Sequence, residues 1–113
     1  MTIREHIQSY QTEILSGNLL PQRSAEILTE ISALLGNINE ESTLRDMDYN
    51  RKLLECFEKE KSANRAKIVA GTTEEYKSMR DARNAEKTAV ELIRSLKYYL
   101  KAKEEEYKQA GNY

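Results

Sequence analysis

Helix breakers are almost missing from this chain. It has one Pro and four Gly in 113 residues. Turns and hairpins need those residues, so a sheet of many short strands is excluded in practice. The breakers that exist are spaced far apart, at Gly17, Pro21, Gly36, Gly71 and Gly111. The stretches between them are rich in Ala, Leu, Glu, Lys and Arg, which lose little on entering a helix. The expectation is an all-α protein: two short N-terminal helices plus a long antiparallel helical hairpin, coiled-coil-like, with its turn near Gly71. The chain is read as one all-α domain over 1–113, with a short helical pair at 1–36 and the hairpin at 39–110.

The first helix should start at Thr2, because Thr2 and Glu5 have capping-box spacing. Ile3, Ile7, Tyr10 and Ile14 follow as one narrow stripe, and Ser16-Gly17-Asn18 ends it. The second helix should open near Pro21, whose missing N–H costs nothing in a first turn. Its apolar face is Ile27, Leu28, Ile31, Leu34 and Leu35, and Gly36-Asn37 should close it. A third helix should begin at Asn39, with Glu40 and Glu41 complementing its dipole. Its stripe is Leu44, Met47, Leu54, Phe57 and Ile68, interrupted by the polar residues Asn50, Lys61 and Asn64.

Thr72 and Glu75 again have capping-box spacing, so the fourth helix should restart at Thr72-Thr73 and run to about Gln109, on the order of 55 Å. Met79, Ala82, Ala85, Ala89, Ile93, Leu96, Leu100 and Tyr107 form its stripe. A turn at Gly71 would set Leu54 against Ala89 and Met47 against Leu96, with Phe57 near Ala85 and Glu86. The hairpin tip, 58–70 against 73–86, has too little apolar area to drive packing by itself. It should be a solvated arm or be covered by another chain. Asn50 is assigned a partner contact, and Lys61 and Asn64 are assigned to solvent.

Composition excludes several functions. The mean hydropathy is −0.78 and only 39% of residues are hydrophobic, so the core must be thin. No apolar run approaches a membrane span, and the start, MTIREHIQSYQTE, has no signal-like apolar region. Cys56 stands alone, which excludes an internal disulfide, and its neighbours Leu53, Leu54 and Phe57 suggest a packed small hydrophobe. A cytoplasmic location is expected. His6 is the one histidine and lacks a His or Cys companion at ligand spacing, so no metal site and no cofactor are expected. Asp46-x-Asp48-x-Asn50 imitates the start of a calcium loop, but Arg51 stands where Gly is required and Phe57 where the bidentate Glu belongs. No phosphate loop or nucleophile motif occurs, and the chain is not expected to be an enzyme.

The net charge of −1 conceals an uneven distribution. Residues 1–60 hold 6 basic and 11 acidic side chains, and residues 61–87 hold 7 basic and 4 acidic. On a helical wheel the fourth helix carries a second stripe beside its apolar one. It contains Tyr76, Met79, Arg80, Arg83, Lys87, Val90, Arg94, Lys97, Tyr98 and Lys101, with no acid inside it. Cations along an edge follow a phosphate backbone, and an exposed tyrosine offers a face on which an unpaired base can stack. Arg80, Arg83, Lys87, Arg94, Lys97 and Lys101 are the candidate phosphate contacts, with Tyr98 as the stacking platform. The structural reading of the same stripe is ion pairing with acids on the neighbouring helix, for which Glu55, Glu58 and Glu60 are the candidates.

The second half has a recurring layout: a polar helix ending in Arg65-Ala66-Lys67, a short turn, then Thr72-x-x-x-Tyr76. A helix follows with Arg80, Arg83, Ala85, Glu86 and the segment Leu92-Ile93-Arg94-Ser95-Leu96-Lys97. This layout, over residues 49–109, resembles small phage- or prophage-encoded helical-hairpin proteins and is similar to recombination mediators of the T-even phage type. The resemblance implies a non-enzymatic accessory protein in the cytoplasm of a bacterial host. It further implies a homo-oligomer that holds single-stranded DNA through Lys and Arg and meets a recombination partner. The alternatives are a phage-encoded inhibitor or scavenger of a host defence system, binding a host protein or its nucleotide signal, and a structural helical module.

Overall fold

The computed structural model describes residues 1–111. It contains four helices and, among the described residues, no strand: α1 (Ile3–Leu15), α2 (Pro21–Lys59), α3 (Ala63–Ala70) and α4 (Glu74–Ala110). The chain packs as two compact units. The first comprises Met1–Gly36 with Lys87–Tyr113, and the second comprises Asn37–Glu86. Both α2 and α4 contribute residues to each unit.

In the first unit the expected signals act locally. The Thr2 hydroxyl caps α1 by accepting from the Glu5 amide at 3.1 Å. The chain leaves α1 through Gly17, whose φ of 77° is a conformation a Cβ would strain. It enters α2 at Pro21, so the second helix opens where expected. Glu13 on α1 takes the Arg23 guanidinium of α2 at 2.9 Å. Ile7, Tyr10, Ile27, Ile31, Ala89 and Leu96 are buried in this unit. The Tyr99 hydroxyl donates to the Leu19 carbonyl at 2.9 Å, satisfying a backbone acceptor in the loop between α1 and α2. Tyr107, expected in the α4 stripe, is exposed.

The first correction concerns Gly36-Asn37. No helix ends there and none begins at Asn39, because α2 is continuous for 39 residues. Glu40 and Glu41 are therefore mid-helix residues. A Gly inside a helix costs about 1 kcal/mol relative to Ala. Burial of a side chain such as Ile38 contributes about 1.5–3 kcal/mol. Ile38 is buried seven residues after Ile31, and Ser42 is buried four residues further on. Burial of Ile38, two residues beyond the glycine, outweighs the glycine penalty. The unit boundary nevertheless falls at Gly36.

The second correction concerns the turn. No simple turn at Gly71 joins two helices. The chain bends at 60–62, and the Ser62 hydroxyl caps a separate short helix, α3, by accepting from the Arg65 amide at 3.2 Å. Ala66 and Ala70 of α3 lie fully buried against Cys56, with Tyr49, Leu53 and Val69 packed around them. Small residues allow close backbone approach, so the tip packs despite its low apolar content. Cys56 is the packed hydrophobe expected. The cap of α4 is Thr73 and not Thr72, since the Thr73 hydroxyl accepts from the Tyr76 amide at 3.3 Å.

The register differs as well. Within the second unit Asp46 meets Arg83 at 2.9 Å, and the Tyr49 and Tyr76 rings meet edge-on at 5.4 Å. The expected register would have set Asp46 and Tyr49 against residues 97 and 94. Reversal of order along α2 and α4 makes these segments antiparallel, and α3 takes up the chain between them. Consequently Leu44, Met47, Leu54, Phe57 and Ile68 are exposed, although sequence periodicity assigned them to the seam. The face of α2 that turns inward in this unit carries Ser42, Arg45, Tyr49, Lys52, Leu53 and Cys56 instead.

Candidate nucleic-acid interface

The candidate cations all lie on α4, and the two units divide them. Arg80 and Arg83 belong to the second unit, and Lys87, Arg94, Lys97, Tyr98 and Lys101 to the first.

In the second unit Arg83 is engaged. Its Nε donates to Asp46 Oδ1 at 2.9 Å, so here the structural reading of the stripe holds. The acid is Asp46, not the Glu55, Glu58 or Glu60 expected. Glu55 takes Lys52 at 3.2 Å, and Glu60 takes Arg65 at 3.0 Å. Asp48 lies between Arg45 at 3.0 Å and Arg51 at 3.4 Å. The Asp46 and Asp48 carboxylates are thus both engaged by arginines, inside a helix. Tyr76 is half-buried, its ring meeting Tyr49 edge-on. Arg80 is exposed.

In the first unit Arg94 pairs along its own helix with Glu91 at 3.3 Å, with both side chains well exposed. Such a pair contributes about 0.3–0.5 kcal/mol and opens readily to a phosphate. Lys87, Lys97 and Lys101 are exposed and make no ion pair among the described residues. Tyr98 is 78% exposed, with its ring outward. Its neighbour Tyr99 points inward to Leu19, and Lys103 lies 5.8 Å from the Tyr99 ring centre. Adjacent tyrosines on one helix project about 100° apart, which explains why one anchors and the other is free. A surface of Lys97, Tyr98 and Lys101 with Lys87 and Arg94 along the helix therefore remains open.

Other surfaces have less to offer. A polar depression of about 420 Å³ in the second unit is lined by Arg45, Asp48, Arg51, Lys52, Glu55 and Glu75, whose charges largely satisfy one another. The Lys52 ammonium is held above its ordinary pKa, chiefly by its hydrogen bond to Glu55. In the first unit His6 stacks on Tyr10 with ring centres 6.4 Å apart. Burial, then the hydrogen bond to Glu30, raises the Tyr10 phenol above its ordinary pKa. Among the described residues no three His, Cys, Asp or Glu side chains converge as a metal site. No helix among the described residues is long and apolar enough to cross a membrane.

No family model matches this chain, and no curated protein or solved structure shows significant similarity to it.

Proposed function

We propose that this chain is a non-enzymatic accessory protein of the phage type that binds single-stranded nucleic acid through the open edge of α4. The observation that carries this reading is the cluster of Lys97, Tyr98 and Lys101, exposed cations around an outward tyrosine. Lys87 extends the positive edge, and Arg94 joins by exchanging Glu91 for a phosphate. Arg83 is held by Asp46, and the proposed contacts centre on the 87–101 segment. The phosphate contacts are sequence-independent, and Tyr98 stacks with any base. One copy makes few contacts and binds weakly, and a homo-oligomer that presents several α4 edges gains avidity.

The test is fluorescence anisotropy with a labelled oligothymidine across a salt series. Each single-strand phosphate contact contributes about 0.7 to the slope of log affinity against log salt. Replacing Lys87, Lys97 and Lys101 with Ala should therefore lower the slope by about 2. Tyr98→Ala should weaken binding by about 1–3 kcal/mol with the slope retained. Unchanged affinity and slope in the triple-lysine variant would overturn the assignment. Capture of a host nuclease with no oligonucleotide binding would favour the inhibitor alternative.

A further inference from the structure

A groove of about 560 Å³ lies between α1 and α2 in the first unit. Its wall includes His6, Ser9 and Tyr10 from α1, and Glu30, Ala33 and Leu34 from α2. The helical repeat makes these sets. Residues three and four apart share a face, so 6, 9 and 10 line one side and 30, 33 and 34 the other. The volume falls within the roughly 300–1,000 Å³ of sites that hold small organic molecules. No residue of the proposed α4 edge lines the groove, so it is independent of the nucleic-acid reading.

The chemistry of the wall selects the ligand. Ala33 and Leu34 are apolar, and the His6 and Tyr10 rings lie 6.4 Å apart at 26°. Glu30 is the one carboxylate in the wall. It accepts the Tyr10 phenol and makes the longest of three contacts to Arg23, at 3.4 Å, against 2.9 Å for Glu13 and 3.1 Å for Glu26. One guanidinium thus serves three carboxylates, and Glu30 has the weakest hold on it. The Glu30 side chain stays 45% exposed. Among the described residues no Lys or Arg lines the groove. A phosphate or carboxylate ligand would meet only the like charge of Glu30. A purely apolar ligand would strip water from that carboxylate without replacing its hydrogen bonds. An ammonium on an apolar body satisfies both demands. Its charge pairs with Glu30 beside the Tyr10 ring, and its body covers Ala33 and Leu34.

The geometry points to a binding site for a small organic amine in the α1–α2 groove, with Glu30 as its charge partner and Tyr10, Ala33 and Leu34 as its apolar bed. Ser9 and Ala33 are exposed, so part of a bound ligand stays in water. A ligand of about nine non-hydrogen atoms then binds with a dissociation constant of about millimolar order. The same charge logic turns nucleotides away from this groove, because their phosphates find no cation in its wall.

The experiment is a nuclear magnetic resonance titration of the full, nitrogen-15-labelled chain with phenethylamine at constant pH and ionic strength. Phenylacetate, with the same ring and the opposite charge, is the control. Phenethylamine should give saturable amide shifts centred on residues 6–10 and 30–34, and phenylacetate should give none. Glu30→Gln keeps an acceptor for the Tyr10 phenol but loses the charge, and should weaken amine binding about 10-fold. Ala33→Lys sets a competing ammonium in the wall and should weaken it at least as much. Ala33 is exposed, so the helix carries the lysine, and circular dichroism checks that both variants stay folded. The proposal is overturned by an absence of saturable shifts up to about 20 mM amine. Phenylacetate binding as tightly as phenethylamine overturns it as well, and so does unchanged amine affinity in folded Glu30→Gln.

Discussion

Replacing Gly36 with Ala should stabilise this protein. Gly36 is inside α2, has no positive φ, and is exposed. A Cβ built there meets nothing within 4 Å. Ala in an unstrained helical position gains about 0.8–1 kcal/mol over Gly, partly by narrowing the unfolded ensemble. For a chain of this length that corresponds to a rise in Tm of about 3–6 °C. Gly17 is the matched control. A Cβ there also meets nothing, yet its φ is 77°. Gly17→Ala should therefore lose about 1–2 kcal/mol from backbone strain alone. Thermal and urea unfolding followed by far-ultraviolet circular dichroism measures both. Protein concentration is held constant, because self-association raises apparent stability. The two substitutions are chemically identical and sterically open, so a difference in sign isolates backbone conformation. A loss of stability in Gly36→Ala would refute the continuity of α2.

Two further outcomes test the first unit. Ile31 is fully buried, and Ile31→Ala should cost about 2–5 kcal/mol in urea unfolding. Tyr10 titrates above the usual tyrosine value in the folded chain, because burial and Glu30 disfavour its phenolate. Its contribution is fully present below the unfolded tyrosine pKa of about 10 and is lost as pH rises through the higher folded value. Tyr10→Phe should therefore flatten the alkaline end of the stability profile, measured as urea midpoint against pH; an unchanged alkaline slope would contradict the assignment.

Much of the local structure was legible from residue order. Thr2, Gly17 and Pro21 act through bonds and dihedral limits that involve only their neighbours, so their positions fixed the α1 turn in advance. Gly36 and Thr72 carried the same kind of signal and misled. A helix-ending glycine is only a preference of about 1 kcal/mol, and burial of Ile38 exceeds it. The stripe of Leu44, Met47, Leu54 and Phe57 misled for a different reason. Periodicity reveals that a face is apolar but not what covers it. In the second unit the inward face is instead met by the small side chains of α3 and by α4, where Tyr76 packs on Tyr49 and Arg83 reaches Asp46.

The candidate site was legible in the same partial way. The wheel correctly gathered cations on one edge of α4, because helical geometry alone sets that grouping. It could not separate Arg83, tied to Asp46, from Lys97 and Lys101, which remain open. Pairing depends on which turn of α2 lies opposite, and that register follows from the presence of α3. Likewise Tyr98 and Tyr99 are equivalent by type and adjacent in sequence, yet only Tyr99 finds the Leu19 carbonyl.

The sequence by itself determined that this protein is helical, where α1 and α4 run, and which side chains share a helix face. Those properties follow from propensity, capping and the 3.6-residue repeat, all of which act over a few residues. Only the tertiary structure decided that α2 continues through Gly36, that α3 fills the bend, and which charges are already neutralised. These outcomes depend on burial and pairing between residues distant in the chain, and there the energies of packing exceed the local preferences that oppose them.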